Sequence, residues 1–255
     1  MFLAVNIEIM KFACYSLIVK VGEIVSSTFY IFKTRSNYMN IKTLWEGQKF
    51  PNCDTCKKEC QGHLDYDNLC SNLNYLKEYA EKNYEKNKES FVELKKLMGN
   101  KIPTIYSFGC GLGLDYVGAV EVFGEKVKYY GIDECDWAIK KTDAYKNFKP
   151  TLPQTSKFNV GTFLLSGRQD NLVICFFNSL FTISNNTKLD EVLLKALENQ
   201  DEFYIVCDYT INSNYHMPKE EQDFIDRLIK KLRGKFKFKS IDILDGKGII
   251  IYGDR

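Results

Sequence analysis

The sequence lacks most of the features that assign a function by themselves. Its net charge is only +2 over 255 residues, which provides no general attraction to DNA or to a membrane surface. It contains two histidines and five prolines. No G-x-x-x-x-G-K-[ST] segment occurs, so a P-loop nucleotide site is excluded. The chain is nevertheless typical of a packed globule, because 45% of its residues are hydrophobic and 14% are aromatic.

The first forty residues are apolar but lack a run long enough to cross a membrane. The longest uncharged runs after the start are 12–19 and 24–32, far short of the ~20 residues that a spanning helix needs. No basic segment precedes them, which counts against a secretory signal. We expect residues 1–45 to pack on the main domain, or to be an upstream extension of a chain that starts at Met39. We predict no membrane partner.

The nine cysteines do not show the pattern of a disulfide framework. Several stand singly within predicted strands or at strand ends, where a thiol behaves as a small buried hydrophobe. This usage predicts a reducing, cytoplasmic location. The four residues concerned are Cys110, Cys135, Cys175 and Cys207.

A cysteine-rich loop at 51–70, "CDTCKKECQGHLDYDNLC" over most of its length, is a candidate metal site. Its C-x2-C pair has the spacing at which two thiolates can bind one tetrahedral ion. Only this first pair is well formed, so an iron–sulfur cluster and unliganded thiols are alternatives to zinc. The predicted zinc ligands are Cys53, Cys56, Cys60 and Cys70, with His63 as the alternative ligand.

From residue 72 onward the periodicity alternates between helix and strand. Helices are predicted at 72–98, 114–124, 135–147, 187–199 and 218–233. Strands are predicted at 104–109, 126–133, 171–177 and 202–208, with a third strand in chain order within 158–165. The segments 236–244 and 247–253, joined by "DG", predict a hairpin. This order predicts an α/β fold: a three-layer αβα Rossmann-like sheet, mostly parallel, with a C-terminal antiparallel hairpin.

A glycine loop follows the first of these strands, in "YSFGCGLGLDYVGAVEVFG" at 106–124. Gly109, Gly111 and Gly113 occupy alternate positions there, so a ligand can approach bare backbone at the N-terminus of a helix. Parallel sheets bind ligands beyond the carboxyl ends of their strands, which places the predicted site at this loop.

The ligand class follows from the spacing around the loop. A dinucleotide fingerprint needs G-x-G-x-x-G, and its last position falls on Leu114 or Tyr116 in the two possible registers. Asp133 ends the second predicted strand, twenty residues after the last glycine of the loop. An acid at that position can accept hydrogen bonds from both ribose hydroxyls of an adenosine-containing ligand.

The segments "SFGCGLGLDY", "YYGIDECDWAI", "DNLVICFFNSLF" and "FYIVCD", in that order and with the closing hairpin, resemble the seven-stranded class I S-adenosylmethionine-dependent methyltransferases. The resemblance covers about residues 100–253. It implies a cofactor domain over 100–255, preceded by an N-terminal extension over 1–99 that carries the cysteine-rich loop and the 72–98 helix. The extension is predicted to recognise substrate.

The resemblance also implies roles for individual residues. The glycines would pass the methionine part and the ribose of the cofactor, Asp133 would take the ribose hydroxyls, and Glu134 and Cys135 would lie near the adenine. Ser107 departs from the family, which usually has an acid there. The implied cofactor-binding residues are Ser107, Gly109, Cys110, Gly111, Gly113, Asp133, Glu134, Phe177 and Asn178.

For activity, the resemblance implies methyl transfer to a small molecule or to RNA. The stretch "FFNSLF" after the fourth strand lacks the Pro-Pro pair of enzymes that methylate amino groups of DNA bases. Two alternatives are a catalytically inactive cofactor-binding sensor or interaction protein with the same fold, and a dinucleotide-dependent oxidoreductase, which the incomplete fingerprint disfavours. The candidate catalytic residues are Asn178, Asp208, Tyr209 and His216.

Overall fold

The structure is a computed structural model that describes residues 67–142, 145, 155–157, 165, 167–177, 179, 189–208 and 219–255. Within these residues seven strands form one sheet: β1 (Thr104–Phe108), β2 (Lys128–Asp133), β3 (Thr155–Lys157), β4 (Leu172–Phe176), β5 (Glu202–Asp208), β6 (Lys237–Ile243) and β7 (Gly248–Asp254). The α-helices of the same residues are α1 (Leu69–Met98), α2 (Leu114–Phe123), α3 (Leu189–Leu197) and α4 (Lys219–Arg233), and short 3-10 helices lie at Ala138–Lys141 and Leu244–Gly246.

The strand order across the sheet is β3-β2-β1-β4-β5-β7-β6. The pairs from β3 to β5 are parallel, and β7 runs antiparallel to both β5 and β6. The order therefore reverses between β1 and β4, and the crevice at their carboxyl ends is where such sheets bind ligands. The predicted mostly parallel sheet and its C-terminal antiparallel hairpin are confirmed.

Helices cover both faces of the sheet, which gives three layers. On one face, α3 and α4 pack Leu193 and Phe224 against strand residues such as Phe176. On the other face, α1 and α2 pack Phe91 and Val120 among the side chains of β1, β4, β5 and β7. The alternation of side chains along each strand supplies both cores.

Local sequence explains the positions of β4 and β6 and both ends of the first helix. All five residues of β4 are buried, as its unbroken apolar run predicts for a central strand. β6 lies at the edge, where exposed Lys237 and Lys239 protect it from pairing with another chain. At the start of α1 the side chain of Asn68 accepts hydrogen bonds from two backbone N–H groups, and Gly99 ends the helix with a φ of +63°.

Two predicted elements differ from the structure. The third strand is described at Thr155–Lys157, just before the predicted window of 158–165; residue 165 has no strand conformation, and residues 158–164 lie outside the described part of the chain. The predicted helix at 135–147 is replaced, over its described first part, by the 3-10 helix at Ala138–Lys141, whereas residue 145, further along, is helical. Tertiary contacts take the backbone groups that a helix would use, because Asn72 Oδ1 accepts from Ile139 N at 3.1 Å.

Helix α1 begins at Leu69, slightly before its predicted start, and belongs to the core of the sheet. Its second half contributes Phe91, Leu94 and Met98 to the cluster that contains residues of β1, β4 and β5. Phe91 makes edge contacts with the rings of Phe123 and Phe177 at centroid distances of 6.0 and 5.2 Å. The division at residue 100 stays a prediction, but the described part of the extension folds together with the sheet.

A substitution in α1 tests this shared core. Phe91→Ala should lower the free energy of unfolding of the whole sheet by about 3–5 kcal/mol, because it leaves a cavity where the ring is fully buried. Urea denaturation followed by circular dichroism measures the change. The neighbouring Val92→Ala is the control, since Val92 is 42% exposed. An unchanged transition in Phe91→Ala would show that α1 does not stabilise the sheet.

Candidate functional site

The glycine loop lies at the carboxyl end of β1, at the point where the strand order reverses. Gly109, Gly111 and Gly113 have φ values of +66°, +57° and +75°. All three lie in the left-handed region, which L residues with a Cβ rarely adopt. The alternate spacing of the glycines is therefore required by the backbone path of the loop, in addition to any ligand that approaches it.

The end of β2 holds this loop through backbone and side-chain hydrogen bonds. The N–H groups of Gly109 and Cys110 donate to the carbonyl oxygen of Ile132 at 2.7 and 3.2 Å. The N–H of Gly111 donates to Asp133 Oδ2 at 2.7 Å, in a buried position. Since Asp133 also orders the chain that follows it, one carboxylate fixes both sides of the crevice.

The carboxylate of Asp133 keeps acceptor capacity for a ligand. Its Oδ1 accepts from the N–H of Cys135 at 2.8 Å, and its Oδ2 accepts from Gly111. Each carboxylate oxygen has two lone-pair sites, so each can accept one further hydrogen bond. Asp133 is 8% exposed, and the next residue, Glu134, is exposed. The arrangement can accept a pair of hydroxyl groups.

An indole ring lies against the loop, which the sequence reasoning missed. A Cβ added at Gly111 would lie 3.2 Å from Cζ2 of Trp137, so only glycine fits between the ring and the loop without displacement. Trp137 is buried, and Tyr75 of α1 contacts it edge to face at 5.4 Å. The tryptophan was visible in the segment "DECDWAI", four residues after Asp133. Its contact with an aromatic residue of α1 could not be predicted, because no local spacing relates the two.

A buried acid below the loop was also missed. Asp115, in the first turn of α2, is 2% exposed, and the hydroxyl of Tyr129 lies 2.7 and 2.8 Å from its two carboxylate oxygens. Burial raises the pKa of Asp115 to about 6, although hydrogen bonds oppose the shift. Ser107, at 1% exposure, is among the groups that oppose this rise in the pKa of Asp115.

The candidate catalytic residue Asp208 lies at the carboxyl end of β5, as predicted. Its side chain is fully buried, and Lys86 Nζ of α1 lies 3.1 Å from its Oδ2. This ion pair joins α1 to the strand end beside the crevice. A buried, paired carboxylate at this place can position neighbouring groups, and a catalytic role for Asp208 stays a prediction.

Phe177, one of the implied cofactor-binding residues, packs into the core. Its ring is 6% exposed and contacts Phe91 of α1. Ser179 Oγ donates to the carbonyl oxygen of Phe108 at 2.6 Å, which ties the chain after β4 to the end of β1. The remaining catalytic candidates, Asn178, Tyr209 and His216, lie outside the described residues.

The predicted zinc site also lies mostly outside the described residues, which exclude Cys53, Cys56, Cys60 and His63. Cys70 is described and is a free, buried thiol in the first turn of α1. Over the described part of the chain, no group of three or more His, Cys, Asp or Glu side chains is placed to hold a metal ion. Zinc binding stays a prediction.

No family model matches the chain, and no curated protein matches it. Similar solved structures include a SAM-dependent methyltransferase from Aquifex aeolicus (17% identity, 66% of this chain and 90% of that chain, TM-score 0.44). Others are the plantazolicin methyltransferase BpumL in complex with SAH (13%, 90% and 100%, TM-score 0.47) and the pyocyanin biosynthetic protein PhzM (13%, 82% and 62%, TM-score 0.46).

The fold assignment follows from the sheet itself. The described residues contain the seven-stranded sheet that the sequence resemblance implied, with antiparallel β7 between β5 and β6. The fold is that of the class I S-adenosylmethionine-dependent methyltransferases. Among the helices described, none combines the length and apolar character needed to cross a bilayer.

Gly111→Ala tests the conformation of the glycine loop. A non-glycine residue at a φ of +57° costs about 1–2 kcal/mol, and the new Cβ must also displace Trp137. We expect the free energy of unfolding to fall by about 2 kcal/mol, measured by urea denaturation. Gly234→Ala is the matched control, since nothing lies closer to its added Cβ than a backbone oxygen at 3.8 Å. Equal effects of the two substitutions would contradict the described loop.

Lys86→Met tests the ion pair with Asp208. Removing one partner leaves a buried carboxylate without its counter-charge, which should lower the free energy of unfolding by about 3 kcal/mol. Lys96→Met breaks an exposed pair with Glu93 on the same helix and should cost less than about 1 kcal/mol. Thermal and urea denaturation measure both. If adding Asp208→Asn to Lys86→Met restores no stability, the pair does not act as described.

Proposed function

We propose that the protein is an S-adenosylmethionine-dependent methyltransferase whose cofactor binds in the crevice between the glycine loop and Asp133. The observation that carries the proposal is the hydrogen bond from Gly111 N–H to Asp133 Oδ2, at the reversal point of the sheet. It holds bare left-handed backbone and a carboxylate with spare acceptor capacity side by side. This combination suits an adenosine ligand with two ribose hydroxyls and an extended amino-acid chain.

The residues present fit such a cofactor. Gly109 and Cys110 are half-buried, so ligand groups can reach the backbone at the start of the loop. The N-terminus of α2 directly follows the loop and favours a carboxylate, such as that of the methionine part. Asp133 would accept hydrogen bonds from the ribose hydroxyls. Glu134 and half-buried Cys135 would border the adenine.

The bound cofactor would supply a methyl group on a positively charged sulfur. A nucleophile of the substrate would attack the methyl carbon in line, and the neutral thioether would leave. The protein's main task in such a reaction is to hold the nucleophile on the axis of the breaking bond. The elements that border the crevice suit this task because buried hydrogen bonds and an ion pair hold them in place. Ser179 ties the chain after β4 to β1, and Lys86 pairs with Asp208 at the end of β5.

The proposed methyl acceptor is a small molecule or RNA, and the proposed location of the protein is the cytoplasm. The described surface gives no reason to narrow this choice, since exposed basic residues near α4 and β6 are interspersed with acids. Lys231 pairs with Asp190 at 2.7 Å, and Lys235 pairs with Glu198 at 2.7 Å. Catalytic roles for Asn178, Tyr209 and His216 belong to the same proposal.

Calorimetric titration with S-adenosylmethionine, S-adenosylhomocysteine and NAD tests the proposed cofactor. We expect the first two to bind and NAD not to bind. Asp133→Ala should weaken both by about 100-fold, since two hydrogen bonds to a charged acceptor contribute about 1.5 kcal/mol each. Asp133→Asn keeps one acceptor oxygen, so its affinity for both ligands should lie between that of the wild type and that of Asp133→Ala. Asp242→Ala, an exposed aspartate on β6, is the control.

Folding must be monitored in the same experiment, because Asp133 also holds the loop. Circular dichroism and thermal denaturation show whether each variant is folded at the titration temperature. A folded wild-type chain that binds neither adenosyl ligand, or that binds NAD alone, would contradict the proposal. Binding without methyl transfer to any acceptor would favour the inactive sensor or interaction protein with the same fold.

A further inference from the structure

Helix α1 carries a buried amide group outside the set of residues assigned so far. Asn87 is 4% exposed, and its Oδ1 is buried without a hydrogen-bond partner among the described residues. Buried polar atoms normally have partners, and an unpaired one costs free energy. The oxygen therefore suits a hydrogen-bond donor that arrives from outside the chain.

Other asparagines of the same helix have partners. The buried Asn72 accepts a hydrogen bond from the N–H of Ile139 at 3.1 Å. The half-buried Asn83, one turn before Asn87, donates to the hydroxyl of Tyr75 at 3.1 Å. The unpaired oxygen is therefore specific to the surroundings of Asn87.

The position of Asn87 along the sheet follows from the contacts of its own helix. It lies on the buried stripe of α1, four residues before Phe91. The ring of Phe91 contacts that of Phe177, which directly follows β4, at a centroid distance of 5.2 Å. The helix descends from the crevice, because Tyr75 near its start contacts Trp137 beside the glycine loop. Asn87 therefore lies one helical turn, about 5.4 Å, beyond the carboxyl end of β4.

The chain neighbours of Asn87 place it sideways. Lys86 Nζ lies 3.1 Å from Oδ2 of Asp208, which ends β5. On the other side, a Cβ added at Gly118 of α2 would lie 3.4 Å from the Cα of Lys88. Asn87 is thus held between α2 and the carboxyl ends of β4 and β5.

The carboxyl ends of the strands divide the crevice into two halves. The proposed cofactor binds over β1 and β2, through the glycine loop and Asp133. The methyl acceptor must approach the sulfonium from the other half, over the ends of β4 and β5, because the cofactor covers the first. The amide of Asn87 stands on that second side, and its oxygen can only accept hydrogen bonds.

We infer that Asn87 belongs to the methyl-acceptor subsite and that its Oδ1 accepts a hydrogen bond from an N–H or O–H group of the methyl acceptor. The inference rests on the proposed function and deepens it by naming the chemistry of the methyl acceptor. Such a bond orients a nitrogen or oxygen nucleophile on the axis of the breaking bond. A nucleophile without an attached hydrogen, such as a thioether sulfur, would leave the amide unpaired, so the site selects against it.

The test is calorimetric titration of the full chain with S-adenosylhomocysteine and with sinefungin. In sinefungin a carbon that bears an amino group replaces the sulfur, so N–H donors occupy the place of the transferred methyl group. The adenosyl and amino-acid parts of the two ligands are the same, and the ratio of their dissociation constants isolates the added donor.

Asn87→Leu keeps the approximate volume of the side chain and removes its oxygen. We expect the preference for sinefungin over S-adenosylhomocysteine to fall about tenfold, because a hydrogen bond to a charged donor is lost. Asn83→Leu is the matched control, since it removes an amide one turn away that is bonded within the chain. It should leave the ratio unchanged.

Thermal denaturation of the free chain gives a second readout. Asn87→Leu should not lower the midpoint of unfolding, because it breaks no hydrogen bond of the described chain. Asn72→Leu should lower it by about 4 °C or more, because it leaves the N–H of Ile139 unpaired. If Asn87→Leu does not fold, Asn87→Ala, which also lacks the oxygen, serves in the titration.

The outcomes separate this inference from the proposed function. An unchanged ratio in the Asn87 variants, or an equal fall in Asn83→Leu, would overturn the role of Asn87 and leave the cofactor assignment intact. A wild-type chain that binds S-adenosylhomocysteine but not sinefungin would overturn it as well. Failure of both ligands to bind the folded wild-type chain would contradict the proposed function itself, and this inference with it.

Discussion

The site depends on one hydrogen bond, which joins the N–H of Gly111 to the carboxylate of Asp133. The left-handed glycine loop is costly to order, and the end of β2 holds it with this bond and with two backbone bonds to Ile132. Trp137 packs against the loop at Gly111, so a glycine is required at that position. The architecture of the crevice follows from these few contacts near the reversal point of the sheet.

Buried polar pairs on the face of the sheet covered by α1 and α2 connect the crevice to α1. Lys86 of α1 pairs with Asp208 at the end of β5, and Asp115 of α2 meets Tyr129 of β2. Both acids are buried within the layer that also contains Phe91 and its aromatic partners. Helix α1 therefore helps to hold the residues next to the crevice in place, and we expect its removal to disturb the crevice.

Local patterns in the sequence predicted the order and kind of most elements, because β4 is uniformly apolar and α4 has acids at its start and bases at its end. They failed where tertiary contacts replace local ones: Asn72 accepts the N–H of Ile139, and a 3-10 helix replaces the first part of the helix predicted at 135–147. The glycine loop and Asp133 were found because a fixed spacing brings them together. The pairs Asp115–Tyr129 and Lys86–Asp208 have no such spacing, since the fold alone makes them neighbours.

A crystal structure of the chain with S-adenosylhomocysteine tests the central claim most directly. The account predicts that the ribose hydroxyls lie within hydrogen-bond distance of Asp133 and that the amino-acid part runs along Gly109–Gly113, with the loop bonded to Asp133 as it is here. A ligand bound elsewhere, or bound in the crevice with its ribose away from Asp133, would contradict it.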